Sequence, residues 1–327
     1  MITRRMLLER RCLRTLTPVL MVAAVACDRG HRDAPAPVKT PAHAPASAAG
    51  SAAPAGSCTL AAIPAKVPLS PQRIVAIGDI HGDLAAARSA LRAAGAIDAA
   101  DKWIGGSLVI VQTGDILDRG DDESKIIELF DRLDGDARTA GGAVIRTLGN
   151  HELMNVARDF RYVTPAGMRD FGGERTKALD PGGAWAKRLA THNIVAIVGD
   201  TVFSHAGVSG DWVTHVDEAN LAVRCWLDGQ AGGPDAPPTV LTSDESPVWT
   251  RTYGIPDAVD CAALAGTLQK LGARRMVVGH TPQQTGITSA CDGALWRIDV
   301  GMSTYYGGPI QVLEIAGGTT KILTGTR

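Results

Sequence analysis

Six side chains spread over five short motifs are the residues of this chain best suited to chemistry. Asp79 and His81 lie in Gly-Asp-Ile-His-Gly (78–82), Asp115 in Gly-Asp-Ile-Leu-Asp-Arg-Gly (114–120) and Asn150 in Gly-Asn-His-Glu (149–152). His205 follows in Ser-His-Ala-Gly (204–207) and His280 in Gly-His-Thr (279–281). Asp79 and His81 are two residues apart at the end of an apolar run, so both can face one ion. Carboxylate, amide oxygen and imidazole donors together suffice for two divalent metal ions, and the mixture suits Mn, Fe or Zn better than Ca or Mg, which prefer all-oxygen shells. The chemistry such a pair of ions performs is hydrolysis of a phosphate ester, by activating water and neutralising charge. Arg119 offers a planar fork for phosphoryl oxygens, and Arg251, in Trp-Thr-Arg-Thr-Tyr-Gly (249–254), is a second candidate. A lone Gly-Asp is usually just a turn and a lone histidine usually structural, but here four of the eight histidines fall inside the ordered motifs. Asp83 and Glu152 stand beside ligands as supporting residues, whereas His192 and His215 have no motif around them.

Each motif ends a run that reads as a strand: Arg73 to Ile77, Ser107 to Gln112, Ala143 to Thr147, Ile194 to Val198 with Val202-Phe203, and Arg275 to Val278. Near-continuous β-branched runs of this length suit strands buried on both faces. Helical periodicity fills the gaps at Leu84 to Ala94 and Ser124 to Leu133. Strand–helix alternation predicts an α/β domain with its ligands at the carboxyl ends of strands. Ala294 to Val300, Ile310 to Ile315 and Thr320 to Leu323 lack intervening helices, and their Gly-rich links predict a C-terminal antiparallel group. Residues 153–190 and 208–262 are long connections carrying Trp185, Trp212, Trp226 and Trp249; they are expected to form a partly helical cap that shapes the substrate pocket.

The five motifs, in this order, resemble the calcineurin-like metallophosphoesterases over about residues 73–315. Val-Val-Gly-His-Thr-Pro (277–282) and Ile298 to Tyr306 are most similar to the bacterial Shewanella-like protein phosphatases within that group. The resemblance implies a two-sheet αββα sandwich. It implies that Asp115 bridges the ions, Asp79 and His81 complete one, and Asn150, His205 and His280 the other. A bridging water or hydroxide would be the nucleophile. His151 would be the general acid that protonates the leaving alkoxide, with Asp118 orienting it and stabilising its imidazolium. Eukaryotic-type serine/threonine phosphatases carry an arginine directly before Gly-Asn-His-Glu; here Leu148 stands there and Arg146 two residues earlier, so that role is not carried over. The implied function is a phosphomonoesterase acting on a phosphorylated protein or a small phosphomonoester. The alternatives are a diadenosine tetraphosphate hydrolase and a catalytically silent metal-containing binding lipoprotein. The aromatic residues are only 4% of the chain and the tryptophans are scattered, which argues against a nucleotide-base pocket.

The chain has 327 residues and a formal net charge of −1, enough for one large domain and without the basic face of a nucleic-acid binder. A monomer is expected. Residues 1–27 pair a basic stretch (Arg4, Arg5, Arg10, Arg11, Arg14) with the apolar run Leu16 to Ala26, a secretory signal too short to span a membrane comfortably. Cys27 after Ala-Val-Ala resembles a bacterial lipoprotein site, with Asp28 resembling an inner-membrane retention signal; plain cleavage is the alternative, and the paired arginines also allow twin-arginine export. Residues 28–57, rich in Ala, Pro, Ser and Gly, are expected to be a disordered tether, and the domain occupies 70–327. The expected location is the periplasm or cell envelope, with membrane contact only through a lipid at Cys27. Cys58, Cys225, Cys261 and Cys291 remain for disulfides in three connectivities. The pair Cys261–Cys291, which flanks the strand delivering His280, is favoured.

Overall fold

A computed structural model describes residues 58–327; the expected signal, 1–27, and the expected tether, 28–57, lie outside the described residues. The first half alternates strand and helix: β1 (Arg73–Ile77), α1 (Leu84–Ala93), β2 (Val109–Gln112), α2 (Glu123–Thr139), β3 (Ala143–Arg146) and α3 (Asn150–Val156). There follow α4 (Arg175–Leu179), α5 (Ala184–Leu189), β4 (Val195–Val198) and β5 (Thr201–Ser204). Then come α6 (Val216–Leu227), α7 (Thr239–Thr242), α8 (Cys261–Leu271), β6 (Arg275–Val278), β7 (Thr288–Ala290), β8 (Leu295–Arg297), β9 (Gln311–Ala316) and β10 (Thr319–Thr324). The strands form two mixed five-stranded sheets, ordered β10-β9-β1-β2-β3 and β4-β5-β6-β8-β7. This is the two-sheet α/β architecture expected. β2, β4 and β6 are buried along their whole length, as their apolar runs require. One continuous apolar core takes side chains from both sheets.

The helices follow their apolar stripes. In α2, Ile126, Ile127, Leu129, Phe130, Leu133 and Ala137 are buried at helical spacing. The helix outruns its predicted end: Ala137 continues the buried stripe four residues after Leu133, and Arg138 pairs with Asp134 and Arg132 with Asp136 on the outer face. Asp83 caps α1, its carboxylate accepting the Ala86 N–H.

The C-terminal strands depart from the expected single antiparallel group. β8 enters the second sheet parallel to β6, while β9 and β10 form a hairpin across Gly317-Gly318 that pairs with β1 in the first. The chain changes sheet between β8 and β9, so no hairpin joins them. Polar, three-residue β7 on the outer edge of the second sheet has no apolar run to announce it. The connections 153–190 and 208–262 contain α4 to α7 among short 3₁₀ turns. Disulfides join Cys58 to Cys225 and Cys261 to Cys291.

Candidate metal centre

Both sheets contribute. Asp79 and His81 follow β1, Asp115 follows β2 and Asn150 opens α3 after β3; His205 follows β5 and His280 follows β6. β1, β2 and β3 run parallel, and so do β5 and β6, so within each sheet the ligands leave from one end. The turns are tight. Non-glycine residues at positive φ cluster here: His81 (49°), Asp115 (56°), Asp118 (69°), Arg119 (66°) and His280 (66°). Such backbone is costly and persists only where surrounding contacts hold it. The motif glycines have a steric reason: a Cβ on Gly149 would lie 2.1 Å from Asp115 Oδ1, and one on Gly279 2.2 Å from Asp79 Oδ1.

The six predicted ligands are brought together and nearly sealed. Asp79, His81, Asp115 and Asn150 are each 2% exposed, His205 0% and His280 8%. Ligand atoms of His81, Asp115 and His151 lie within 4.8 Å of one another, as do those of Asp115, His205 and His280. Asp115 is common to both groups. Its Oδ1 accepts the His151 backbone N–H at 3.0 Å. Its Oδ2 faces His205 Nε2 at 3.3 Å and the Nε2 atoms of His81 and His151 at 3.7 Å each. Asp79 stands outside both groups; its oxygens accept the His280 backbone N–H at 3.1 and 3.3 Å.

Local bonds set the imidazole tautomers. His81 Nδ1 donates to Leu117 O at 3.0 Å, and His205 Nδ1 donates to Thr113 O at 2.9 Å. A carbonyl only accepts, so Nδ1 carries a proton in each ring and Nε2 is the atom that faces the site. Burial opposes protonation of His205, but Asp115 outweighs it and raises that imidazole above its usual range. His205 Nε2 and His280 Nδ1 stand 3.2 Å apart, and His205 Nε2 is 2.9 Å from Asn150 Oδ1. Burial, then Asp299 and Asp115, push the Asp79 carboxyl well above its usual range. Burial also opposes ionisation of Asp115, but His205 and His151 outweigh it and hold that carboxyl well below the usual range. Burial and Arg119 hold His81 low, and burial and His205 hold His280 low. Buried imidazoles and carboxylates converging on Asp115 form a mixed N/O donor set that fits divalent cations.

His151 Nδ1 meets Asp118 Oδ2 at 2.5 Å, and its ring packs edge-on to His81 at 4.9 Å between centroids. Arg119 Nη1 donates to His81 Nε2 at 2.6 Å. Its guanidinium is ringed by Tyr162 and Tyr306, each at 5.1 Å, and Tyr305 at 5.8 Å. Exposed Arg251 donates to Thr281 Oγ1 at 3.1 Å, beside His280. Arg146 stays away from the centre, bonding Asp131 and His192.

Several residues of the site escaped sequence reasoning. Tyr162, Tyr305 and Tyr306 converge on Arg119 although the aromatics look scattered along the chain; the adjacent pair at 305–306, in a segment already notable, was the available signal. Buried Asp299 adds a third carboxylate charge beside Asp79. Arg175, Glu123 and Asn155 surround Asp118, and no motif marks them.

Comparison with known proteins agrees with this geometry. The model of the calcineurin-like phosphoesterase family matches residues 72–284. Shewanella-like protein phosphatase 2 of Arabidopsis thaliana is 38% identical over 295 residues, covering 75% of each chain. Shewanella-like protein phosphatase 1 of Plasmodium berghei is 31% identical, covering 72% of this chain and 69% of the relative. Among solved structures, the cold-active protein-tyrosine phosphatase of a psychrophilic Shewanella species superposes with a TM-score of 0.68 at 26% identity, covering 80% of this chain and 83% of that one.

Proposed function

The chain belongs to the calcineurin-like phosphoesterases and is a metal-dependent hydrolase of phosphate monoesters, and from that premise we propose that it dephosphorylates phosphoproteins, phosphotyrosine included. The observation that carries the reading is Asp115 Oδ2, shared by two ligand groups, beside the His151–Asp118 pair.

In this reading Asp79, His81 and Asp115 hold one cation, and Asp115, Asn150, His205 and His280 the other; Mn, Fe or Zn suits these donors. When bound, the cations supply Lewis acidity, polarising the phosphoryl group and activating water. The residues do the rest. Asp115 presents an ionised carboxylate to both positions. Arg119 forks onto phosphoryl oxygens, flanked by its three tyrosines, and Arg251, bonded to Thr281 next to His280, assists. His151, oriented by Asp118, gives its proton to the leaving oxygen. The tyrosines around Arg119 favour an aryl leaving group at the mouth. A phosphomonoester dianion gains more from these cationic groups than a diester does.

The test is a panel on metal-stripped protein with Mn²⁺ restored: p-nitrophenyl phosphate, phosphotyrosine and phosphoserine peptides, free nucleotides and diadenosine tetraphosphate. Activity should vanish on stripping and return with metal. Phosphopeptides should match or exceed nucleotides in kcat/KM and clearly exceed the dinucleotide. A dinucleotide preferred by about tenfold or more, some 1.4 kcal/mol, would hand the assignment to a dinucleotide hydrolase.

The same proposal places the protein outside the cytoplasm as a monomer that binds no nucleic acid, exported by residues 1–27 and lipidated at Cys27. Two disulfides suit an oxidising compartment. An unmodified Cys27 in the mass spectrum of the mature N-terminus would remove the anchor.

A further inference from the structure

We propose that Arg175 is a positioning residue for the leaving-group proton, holding Asp118, and through it His151, from the connection that follows α3. The inference rests on the reading of His151 as proton donor.

Arg175 opens α4 and is 1% exposed. Its guanidinium is satisfied on every side by groups around Asp118. Nε and Nη2 donate to Asn155 Oδ1 at 2.9 and 2.7 Å. Nη1 donates to Gly167 O at 3.0 Å and to Glu123 Oε2; Nη2 donates to Glu123 Oε1 at 3.0 Å and lies 3.4 Å from Asp118 Oδ1. The Phe171 ring covers one side at 5.1 Å.

The partners of Arg175 hold Asp118 in turn. Glu123 accepts the Asp118 backbone N–H. Asn155 Nδ2 donates to Asp118 Oδ1 at 2.9 Å and to the His151 carbonyl at 2.9 Å. Asp118 is thus fixed by its main chain and by one carboxylate oxygen, leaving Oδ2 for His151 Nδ1. Glu123 and Asp118 are two fully buried carboxylates in close company. Arg175 touches both and offsets the cost of burying them. A buried guanidinium with every donor engaged allows little movement, so the imidazole inherits a fixed direction. Lysine keeps the charge but lacks the fork.

The experiment compares the full chain with His151→Asn, Asp118→Asn and Arg175→Lys on p-nitrophenyl phosphate and a phosphoserine peptide, with metal content measured for each. The first substrate has a leaving group that needs no proton and the second one that does. His151→Asn should be selective for the peptide. Arg175→Lys should lose roughly tenfold or more on the peptide and only about threefold or less on p-nitrophenyl phosphate, with metal unchanged. Added to Asp118→Asn, it should cause no further peptide-selective loss. Equal losses on both substrates, or lost metal, would overturn the inference and leave Arg175 a structural residue. If Arg175→Lys does not fold, Arg175→Gln, which keeps a side-chain donor at that place without the fork, carries the same expectation and the same refutation. A His151→Asn variant that loses both substrates equally would overturn the proton-donor reading itself, and this inference with it.

Discussion

At the scale of single residues, the candidate ligands were legible because each sits in a motif whose neighbours are constrained by the same geometry. Gly149 and Gly279 are glycines because carboxylate oxygens fill the place of their side chains. Arg175 was illegible for the opposite reason: it reaches Asp118 across 57 residues, and nothing local betrays a buried guanidinium. His192, which sequence reasoning set aside, also has a job to be measured. Burial, with the charges of Arg146 and Arg224, holds its imidazole well below the usual histidine range, and Arg146 Nη2 donates to its Nε2 at 2.6 Å. The unfolded chain takes up this proton below about pH 6.5 while the folded chain does not. The corresponding stability is therefore complete above that pH and is lost as pH falls, by no more than about 1.4 kcal/mol per unit. Urea titrations of wild type and His192→Gln from roughly pH 7 to 5 should show a shallower decline in the variant. Parallel curves would mean that another group drives the acid lability.

At the scale of elements, the buried strands were readable from their β-branched runs, and α1 and α2 from their periodicity. The order of strands within the sheets was not, because no helix separates β8 from β9 and nothing in the run between them marks the change of sheet. Turn residues explain what the strands alone do not. Glu152, in the first turn of α3, sends its carboxylate back over the preceding loops: Oε2 accepts the amides of Asp115 at 2.8 Å and Gly149 at 2.7 Å, and Oε1 those of Ile116 at 2.7 Å and Leu117 at 3.1 Å. One side chain thereby fixes two ligand-bearing loops. Glu152→Gln keeps the shape but turns an amide donor toward amides that donate. With two buried N–H groups left unpaired at about 1–3 kcal/mol each, the variant should lose several kcal/mol in urea unfolding and bind metal more weakly. Unaltered stability would show that the loops hold themselves.

At the scale of the whole molecule, the described N-terminal segment works as a strap. Residues 65–67 run along β4, with Val67 N donating to Ile197 O at 2.9 Å and Ile197 N to Ala65 O at 2.7 Å. Cys58–Cys225 fastens its start to α6 across 167 residues. A loop of that length is worth about 5 kcal/mol by chain entropy. Cys58→Ser with Cys225→Ser should lower stability by an amount of that order while leaving kcat unchanged, since neither cysteine belongs to the candidate ligand groups. A fall in kcat with intact stability would contradict this. The pairing of β9 with β1 has a further consequence, and it concerns time. Arg73 on β1 meets Glu314 on β9, a partner 241 residues later in the chain. At about 5–20 residues per second, a ribosome takes roughly 12–50 s to supply that stretch. For all of that interval the strand leading to Asp79 and His81 has one edge unpaired, and a nascent chain must be kept from sticking to others until its last strands have been made.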